Sequence, residues 1–350
     1  MAAVERAYEL RADAGACGEH GALLAAVLTG LRERPKRISP VWFYDERGSS
    51  LFDEICELPE YYVTRTELAI MREHLPEIVA VLGSELCVIE PGSGTSAKTR
   101  MLLGALERPA AYIPVDIACE HLSAAAERLR REHPHLTVHP ICADFTQPFA
   151  VPEGSPYEDR LVYFPGSTIG NFDRTESVQL LSHLHRIARG GAMLIGVDMV
   201  KDPQVLVAAY DDAAGITAEF NLNALEHLNQ RLGTDFDPSS FQHRAVWNAV
   251  ESRIEMHLVS RCRQLVRVGN AFVSFAEGEP LVSEYSHKYT QQAFAAQARA
   301  AGWRVEQAWT DPHGWFSVQL LLPAQASITW GAVRDQCARP RRETEPLDTA

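Results

Sequence analysis

Between Leu86 and Met199 short apolar runs alternate with stretches whose apolar positions recur every three or four residues. That rhythm predicts strands joined by crossover helices. The strands are Leu86–Glu90, Ala111–Val115, Leu136–Ile141, Arg160–Phe164 and Met193–Met199. The helices between them are Ser96–Ala105, Glu120–Glu132 and Glu176–Ala188, the last stopped by Gly190-Gly191. A doubly wound α/β sheet follows. After Val200 the rhythm changes. A helix-rich stretch from Pro203 to Leu232 leads into two alternating runs, Arg253–Val268 and Phe272–Glu284, joined near Gly269-Asn270 like an antiparallel hairpin. The α/β pattern then resumes with a helix over Gln291–Ala300, closed by Gly302, and strands Arg304–Trp309 and Phe316–Leu322 around an Asp-Pro-His-Gly turn. The α+β block therefore looks inserted between the fifth strand and the helix that should follow it.

Composition narrows what such a fold does. With 350 residues, 46% of them hydrophobic, the chain can bury a sizeable core, and its ends, Met1–Leu10 and from Gln336 onward, read as loose. A net charge of -13 argues against a polyanion partner, so no nucleic acid is expected. No apolar stretch is long enough to cross a membrane, and Glu5, Arg6 and Glu9 stand where a signal peptide needs an apolar run. The expectation is a cytoplasmic protein that acts as a monomer. The seven cysteines are scattered without a CxxC and read as reduced, mostly buried thiols. Among the 13 histidines, His133, His135 and His139 cluster, but no acid or cysteine completes a metal set at the usual spacing, so no metal is expected.

The candidate chemistry lies at strand ends. The first strand runs into Pro91-Gly92-Ser93-Gly94-Thr95-Ser96, where small residues let backbone approach a ligand, and the helix beyond carries Lys98. Asp116 ends the next strand, where an acid would meet a ribose diol, and Asp144-Phe145 follows the third, offering an acceptor and a ring to an adenine. A P-loop fits poorly, because Ala97 replaces its second glycine and Leu161–Phe164 runs into Pro165-Gly166 rather than a magnesium-holding acid. A dinucleotide turn fits locally, since Gly92, Gly94 and Ala97 satisfy G-x-G-x-x-G/A and Asp116 supplies the acid.

The rest of the chain decides against the dinucleotide. Tyr44-Asp45-Glu46-Arg47-Gly48-Ser49, Leu58-Pro59-Glu60-Tyr61-Tyr62, Gly92-Ser93-Gly94, Gly166-Ser167-Thr168-Ile169-Gly170-Asn171, Lys201-Asp202-Pro203, Ala209-Tyr210-Asp211-Asp212-Ala213, Thr217-Ala218-Glu219-Phe220-Asn221 and Trp309-Thr310-Asp311 together resemble the histidine-specific methyltransferase family of ergothioneine biosynthesis. Pro91 departs from the leucine usual there. The resemblance implies a class I Rossmann-like methyltransferase sheet over 66–200 and 288–323, closed by a reversed hairpin. It also implies a family-specific α+β substrate domain from 10–65 and 201–287, and a tail over 324–350. It further implies S-adenosylmethionine as cofactor, held by Gly92, Lys98, Asp116, Asp144 and Phe145. Tyr61, Asn171 and Tyr210 match positions that hold an amino acid, with Asn171 and Tyr210 at its carboxylate and Tyr61 near the ring. Glu284 and Ser286 match the pair that bonds an imidazole, and Met256 matches an apolar wall. Tyr44, Gly166 and Thr168 match residues close to the reacting amino group. The implied activity is N-methylation of the α-amino group of L-histidine, to the trimethylated betaine hercynine. Two alternatives stand beside it: another amino acid such as tryptophan or a derivative as acceptor, and a non-catalytic protein that binds S-adenosylmethionine. The second does not need Asn171, Tyr210 and Glu284 together.

Overall fold

In a computed structural model, residues 16–94 and 97–325 are described. The ends expected to be loose lie outside them, as do Thr95 and Ser96 of the glycine loop and all of the tail beyond 325. In chain order the strands are β1 (Lys36–Arg37), β2 (Cys87–Pro91), β3 (Ala111–Asp116), β4 (Thr137–Val138), β5 (Ile141–Cys142), β6 (Arg160–Phe164) and β7 (Ala192–Asp198). They continue with β8 (Phe241–Asn248), β9 (Arg253–Ser260), β10 (Gln264–Val268), β11 (Ala271–Phe275), β12 (Pro280–His287), β13 (Trp303–Thr310) and β14 (Phe316–Pro323).

The larger sheet has the order β13-β14-β7-β6-β2-β3-β4, with β5 also paired to β3. From β4 to β7 the pairs are parallel, and β14 and β13 close the sheet antiparallel. This is the class I methyltransferase sheet with its reversed hairpin. The central strands are buried on both faces, which is why they read as unbroken apolar runs rather than alternating ones. Successive residues still serve opposite layers. Val88, Leu161 and Leu194 pack with Ile70, Met71 and Ile78 of helix Tyr62–Leu82, whereas Ile89, Val162 and Ile195 pack with Leu181, Leu184 and Phe294 of helices Arg174–Ala188 and Gln291–Ala300. Strand order reverses between β2 and β6, so the loops after them diverge and leave a crevice at the carboxyl ends.

A second sheet, β1-β12-β9-β8, is antiparallel except that β1 lies parallel to β12. Helix Ile216–Leu232 presents Phe220, Ala224, Leu225 and Leu228 to the same core. Chain segments before β2 and after β7 thus share one α+β layer. Helix Tyr62–Leu82 runs across the border expected at 65/66.

Several sequence expectations need correction. The third strand breaks into β4 and β5 at His139-Pro140, because proline has no N–H for the ladder. The two long alternating runs are each two strands. The first leaves the sheet after Ser260, and the second turns at Gly278, whose φ of +77° suits glycine alone. Only β10 and β11 form the hairpin at Gly269-Asn270, and β8 was not anticipated. The cysteines are not all thiols: Cys119 and Cys142 form a disulfide, with Cα atoms 5.1 Å apart. The cause is local, because Cys142 pairs in register with Asp116 and the turn after Asp116 returns the chain to Cys119.

Candidate active site

The crevice between the β2 and β6 loops is built by backbone turns. Gly92 and Gly94 both have positive φ, +68° and +47°, which bends the chain sharply out of β2. A Cβ on Gly92 would lie 3.2 Å from the Phe145 ring, so that ring covers the glycine face. Asp116, half-buried at the end of β3, accepts from Ala118 N at 3.0 Å and distantly from Gly94 N, leaving lone pairs for a diol. Asp144 accepts from the Thr146 amide and hydroxyl at 2.9 and 2.7 Å. Behind the turn, Thr99 donates to the buried Glu90 at 2.7 Å, as does Tyr112; burial lifts the Glu90 carboxyl to about 7 against those donors. Glycines under a ring, with two carboxylates at successive strand ends, fit a nucleoside carrying a charged side chain, as S-adenosylmethionine does.

On the β6 side, Gly166 (φ +80°) and Ser167 (φ +56°) are both left-handed. For Ser167 that conformation costs about 1–3 kcal/mol, held here by the Asp198 amide donating to its hydroxyl at 2.9 Å. The reward is an amide aimed inward: Gly166 N donates to Glu67 at 2.9 Å. Glu67, 1% exposed, also receives Lys98 Nζ at 2.5 Å. One buried carboxylate thus ties Lys98 to the β6 loop. Thr168 caps its own turn by donating to Pro165 O at 3.1 Å, and the 3-10 turn Thr168–Asn171 ends with Asn171 half-buried. Gly170 lies against the backbone of His287, where no side chain fits, which brings Asn171 beside β12.

The second sheet supplies the opposite wall. In β12 a bulge at Ser283 interrupts pairing between Val282 and Glu284, and its hydroxyl donates to Asn221 Oδ1 and Met256 O. Beyond the bulge Glu284 pairs with Met256, and Ser286 lies on the same strand face as Glu284. Burial raises the Glu284 carboxyl to about 7, partly opposed by Lys288. Ser286 Oγ is 2.8 Å from Tyr210 Oη, and the Tyr210 ring meets Tyr61 edge-on at 6.2 Å. Tyr44 is aimed by the next residue. Asp45 caps helix Glu46–Glu57 through Gly48 N at 2.7 Å and holds Asn223 at 2.8 Å. Although 49% of Tyr44 is exposed, its hydroxyl end is drawn from water and feels Glu284, Cys56, Tyr210 and Asp116, all of which raise its pKa.

With this geometry in hand, known proteins are informative. A model of the family described as histidine-specific methyltransferase, SAM-dependent, matches residues 23–323. The chain belongs to that family. It is 43% identical to the histidine N-alpha-methyltransferase of Mycobacterium tuberculosis over 91% of this chain and 98% of that one. It is also 43% identical to the enzyme of the same name from Mycolicibacterium smegmatis, over 86% and 95%. At 26% identity it matches the N-methyltransferase imqF of Aspergillus flavus over 82% and 81%. As a member of a SAM-dependent methyltransferase family, the chain is an S-adenosylmethionine-dependent amino-acid methyltransferase.

Sequence reasoning missed the polar foundation beneath this methyltransferase site. Asp198, fully buried at the end of β7, accepts from Tyr62 Oη at 2.8 Å and from Lys201 and Lys288 at 2.5 and 2.7 Å. Lys201 also reaches Tyr62 Oη at 2.6 Å. The signal was present. Glu67 stands between Val63, Ile70 and Met71 on the apolar stripe of its helix, and Asp198 ends an otherwise apolar run.

Proposed function

We propose that this protein transfers methyl groups from S-adenosylmethionine to the α-amino group of L-histidine, ending at the trimethylated betaine hercynine. Gly92, Lys98, Asp116, Asp144 and Phe145 hold the cofactor, which supplies an electrophilic methyl on a sulfonium. The observation that carries the histidine reading is the β12 wall. Glu284, facing Met256, offers an acceptor for an imidazole N–H, and Ser286 stands one side-chain step along the same face. Residues 10–65 and 201–287 act as the substrate domain, against the methyltransferase domain of 66–200 and 288–323.

Methyl transfer of this kind is an in-line displacement by a neutral amine, so alignment does most of the work. Asn171 and Tyr210 hold the carboxylate, Tyr61 flanks the ring, and Glu284 with Ser286 fixes the imidazole. Those contacts point the amino group at the gap beside Gly166, Thr168 and Tyr44. An ordinary α-amino group, with a pKa of about 8, is mostly protonated at neutral pH. Desolvation by the aromatic residues favours its loss of a proton, and a bound sulfonium would add repulsion to the same effect. Tyr44 is a neutral hydrogen-bonding partner for the amine at neutral pH, as any tyrosine is, and burial only raises its pKa further. Repeated transfer requires room for a growing ammonium, which small Gly166 and half-exposed Tyr44 leave. The protein acts in the cytoplasm as a monomer on a free amino acid, without nucleic acid or membrane. Its charge of -13 favours a small-molecule over a polyanion partner, and no helix among the described residues is long and apolar enough to cross a membrane.

The test is incubation with labelled S-adenosylmethionine and each of the twenty amino acids, read by mass. Histidine gaining three methyl groups is expected. Another amino acid turning over faster sinks the reading.

A further inference from the structure

Nothing in the carboxylate-binding pair is charged. Asn171 and Tyr210 are neutral donors, and neither brings the cation expected behind an amino-acid carboxylate. It lies one hydrogen bond deeper. Lys288, just past the end of β12 and 3% exposed, donates to Tyr210 Oη at 2.9 Å, to Ser286 Oγ at 2.8 Å and to Asp198 Oδ2 at 2.7 Å. We propose that Lys288 is the positioning residue that supplies the positive charge for the substrate carboxylate, acting through the Tyr210 hydroxyl and setting Tyr210 and Ser286 as donors.

Counting protons shows how. An ammonium has three N–H groups, and all three are used here. Each hydroxyl oxygen therefore accepts a hydrogen bond from Lys288 and keeps its own proton to donate. Tyr210 and Ser286 touch each other at 2.8 Å, and only one proton can lie between them, so the other points into the site. When a substrate offers two acceptors, a carboxylate to Tyr210 and an imidazole nitrogen to Ser286, both hydroxyls donate outward. Polarisation by the ammonium strengthens both bonds.

Charge points the same way. Asp198 bears one negative charge, while Lys201 and Lys288 bear two positive ones, so the buried cluster keeps one net positive charge. Asp198 does not need Lys288 for its own sake, since Tyr62 and Lys201 already donate to it. Burial works against the Lys288 ammonium, but Asp198 and Tyr210 outweigh it and hold its pKa above the ordinary lysine value. Burial likewise keeps Tyr210 protonated in spite of Lys288. The hydroxyl is thus a neutral donor backed by a permanent cation.

The inference rests on the histidine reading, so wild-type turnover of histidine is measured first. Its absence defeats that reading. Given turnover, the informative quantity is the ratio of kcat/KM for histidine to that for histamine, which lacks the carboxylate. Lys288→Gln keeps hydrogen-bond donors and removes the charge. It should lower the ratio about thirtyfold, equal to about 2 kcal/mol at 1.36 kcal/mol per tenfold, mainly through KM for histidine. Lys288→Arg should restore most of the ratio. In a Tyr210→Phe background the same Lys288→Gln change should have little further effect, because the relay is already cut. S-adenosylmethionine affinity, measured by calorimetry, should stay within about threefold in every variant. Equal loss with histidine and histamine, loss of cofactor binding in both Lys288 variants, or an unchanged ratio in Lys288→Gln would each overturn the proposal in favour of a strut between β7 and β12.

Discussion

Replacing Glu284 by Gln should make the empty protein more stable above neutral pH while making it a worse enzyme. Burial holds this carboxyl at about 7, against 4.5 for an ordinary glutamate. A carboxyl raised in the folded state binds more protons there than in the unfolded chain between those two values. The fold therefore has its full advantage below about 4.5 and loses stability as pH rises through 7. The gap of 2.5 pH units corresponds to about 3.4 kcal/mol at 1.36 kcal/mol per unit, reduced to roughly 1–3 kcal/mol because water reaches a half-buried carboxylate. Gln carries no such pH dependence. The unfolding free energy of Glu284→Gln minus that of wild type should grow by about 1–3 kcal/mol between pH 5 and pH 8, read from urea midpoints without ligands. Glu90, near 7, and Lys201, near 8, titrate in the same window but in both proteins, and cancel in the difference. Histidine kcat/KM should meanwhile fall about tenfold or more as the charged acceptor is lost. Stability curves of wild type and variant that stay parallel across this range would refute a buried, proton-holding Glu284.

Asp116→Ala should weaken S-adenosylmethionine about ten- to hundredfold by removing charge-assisted ribose bonds worth about 1.5–3 kcal/mol; unchanged calorimetric affinity in the folded variant removes Asp116 from the site. Glu284→Ala should cost histidine at least about 2 kcal/mol of transition-state binding while tryptophan loses little, and adding Met256→Val should push the preference further. A histidine-to-tryptophan ratio that stays flat across the three proteins means Glu284 does not face the ring. Glu67→Ala strands Lys98, whose side chain is only 12% exposed, and frees the Gly166 amide. About 3–5 kcal/mol of stability should be lost together with cofactor affinity, and a variant that melts and binds like wild type contradicts that role.

The Rossmann-like half was legible because both faces of its sheet are covered. Strands buried twice over write themselves as apolar runs, and glycines mark where the chain leaves β2 and β6. The inserted half was harder. Its strands alternate, and alternation continues through a turn such as Ala276–Glu279 as readily as along a strand. The faces of β12 could not be assigned from spacing, since the Ser283 bulge shifts every later side chain relative to β9. Glu284 and Ser286 were therefore singled out through motif likeness, not periodicity. Lys288 escaped because it looks like an ordinary charge until the fold brings it to 2.7 Å from Asp198, 90 positions away.

The parallel pairing of β1 with β12 also constrains how the chain is made. Arg37 meets its partner Val282 only after 245 more residues have been added. At about 5–20 residues per second on a ribosome, that is a wait of roughly 12–50 seconds. For most of it Trp42, Phe43, Leu51 and Ile55, all buried in the finished protein, lack helix Ile216–Leu232, on which their segment packs. The methyltransferase core is in the same position until β14 arrives to flank β7. The early segment thus waits for its partner through most of synthesis, and substitutions there should first reveal themselves as lost yield rather than altered kinetics.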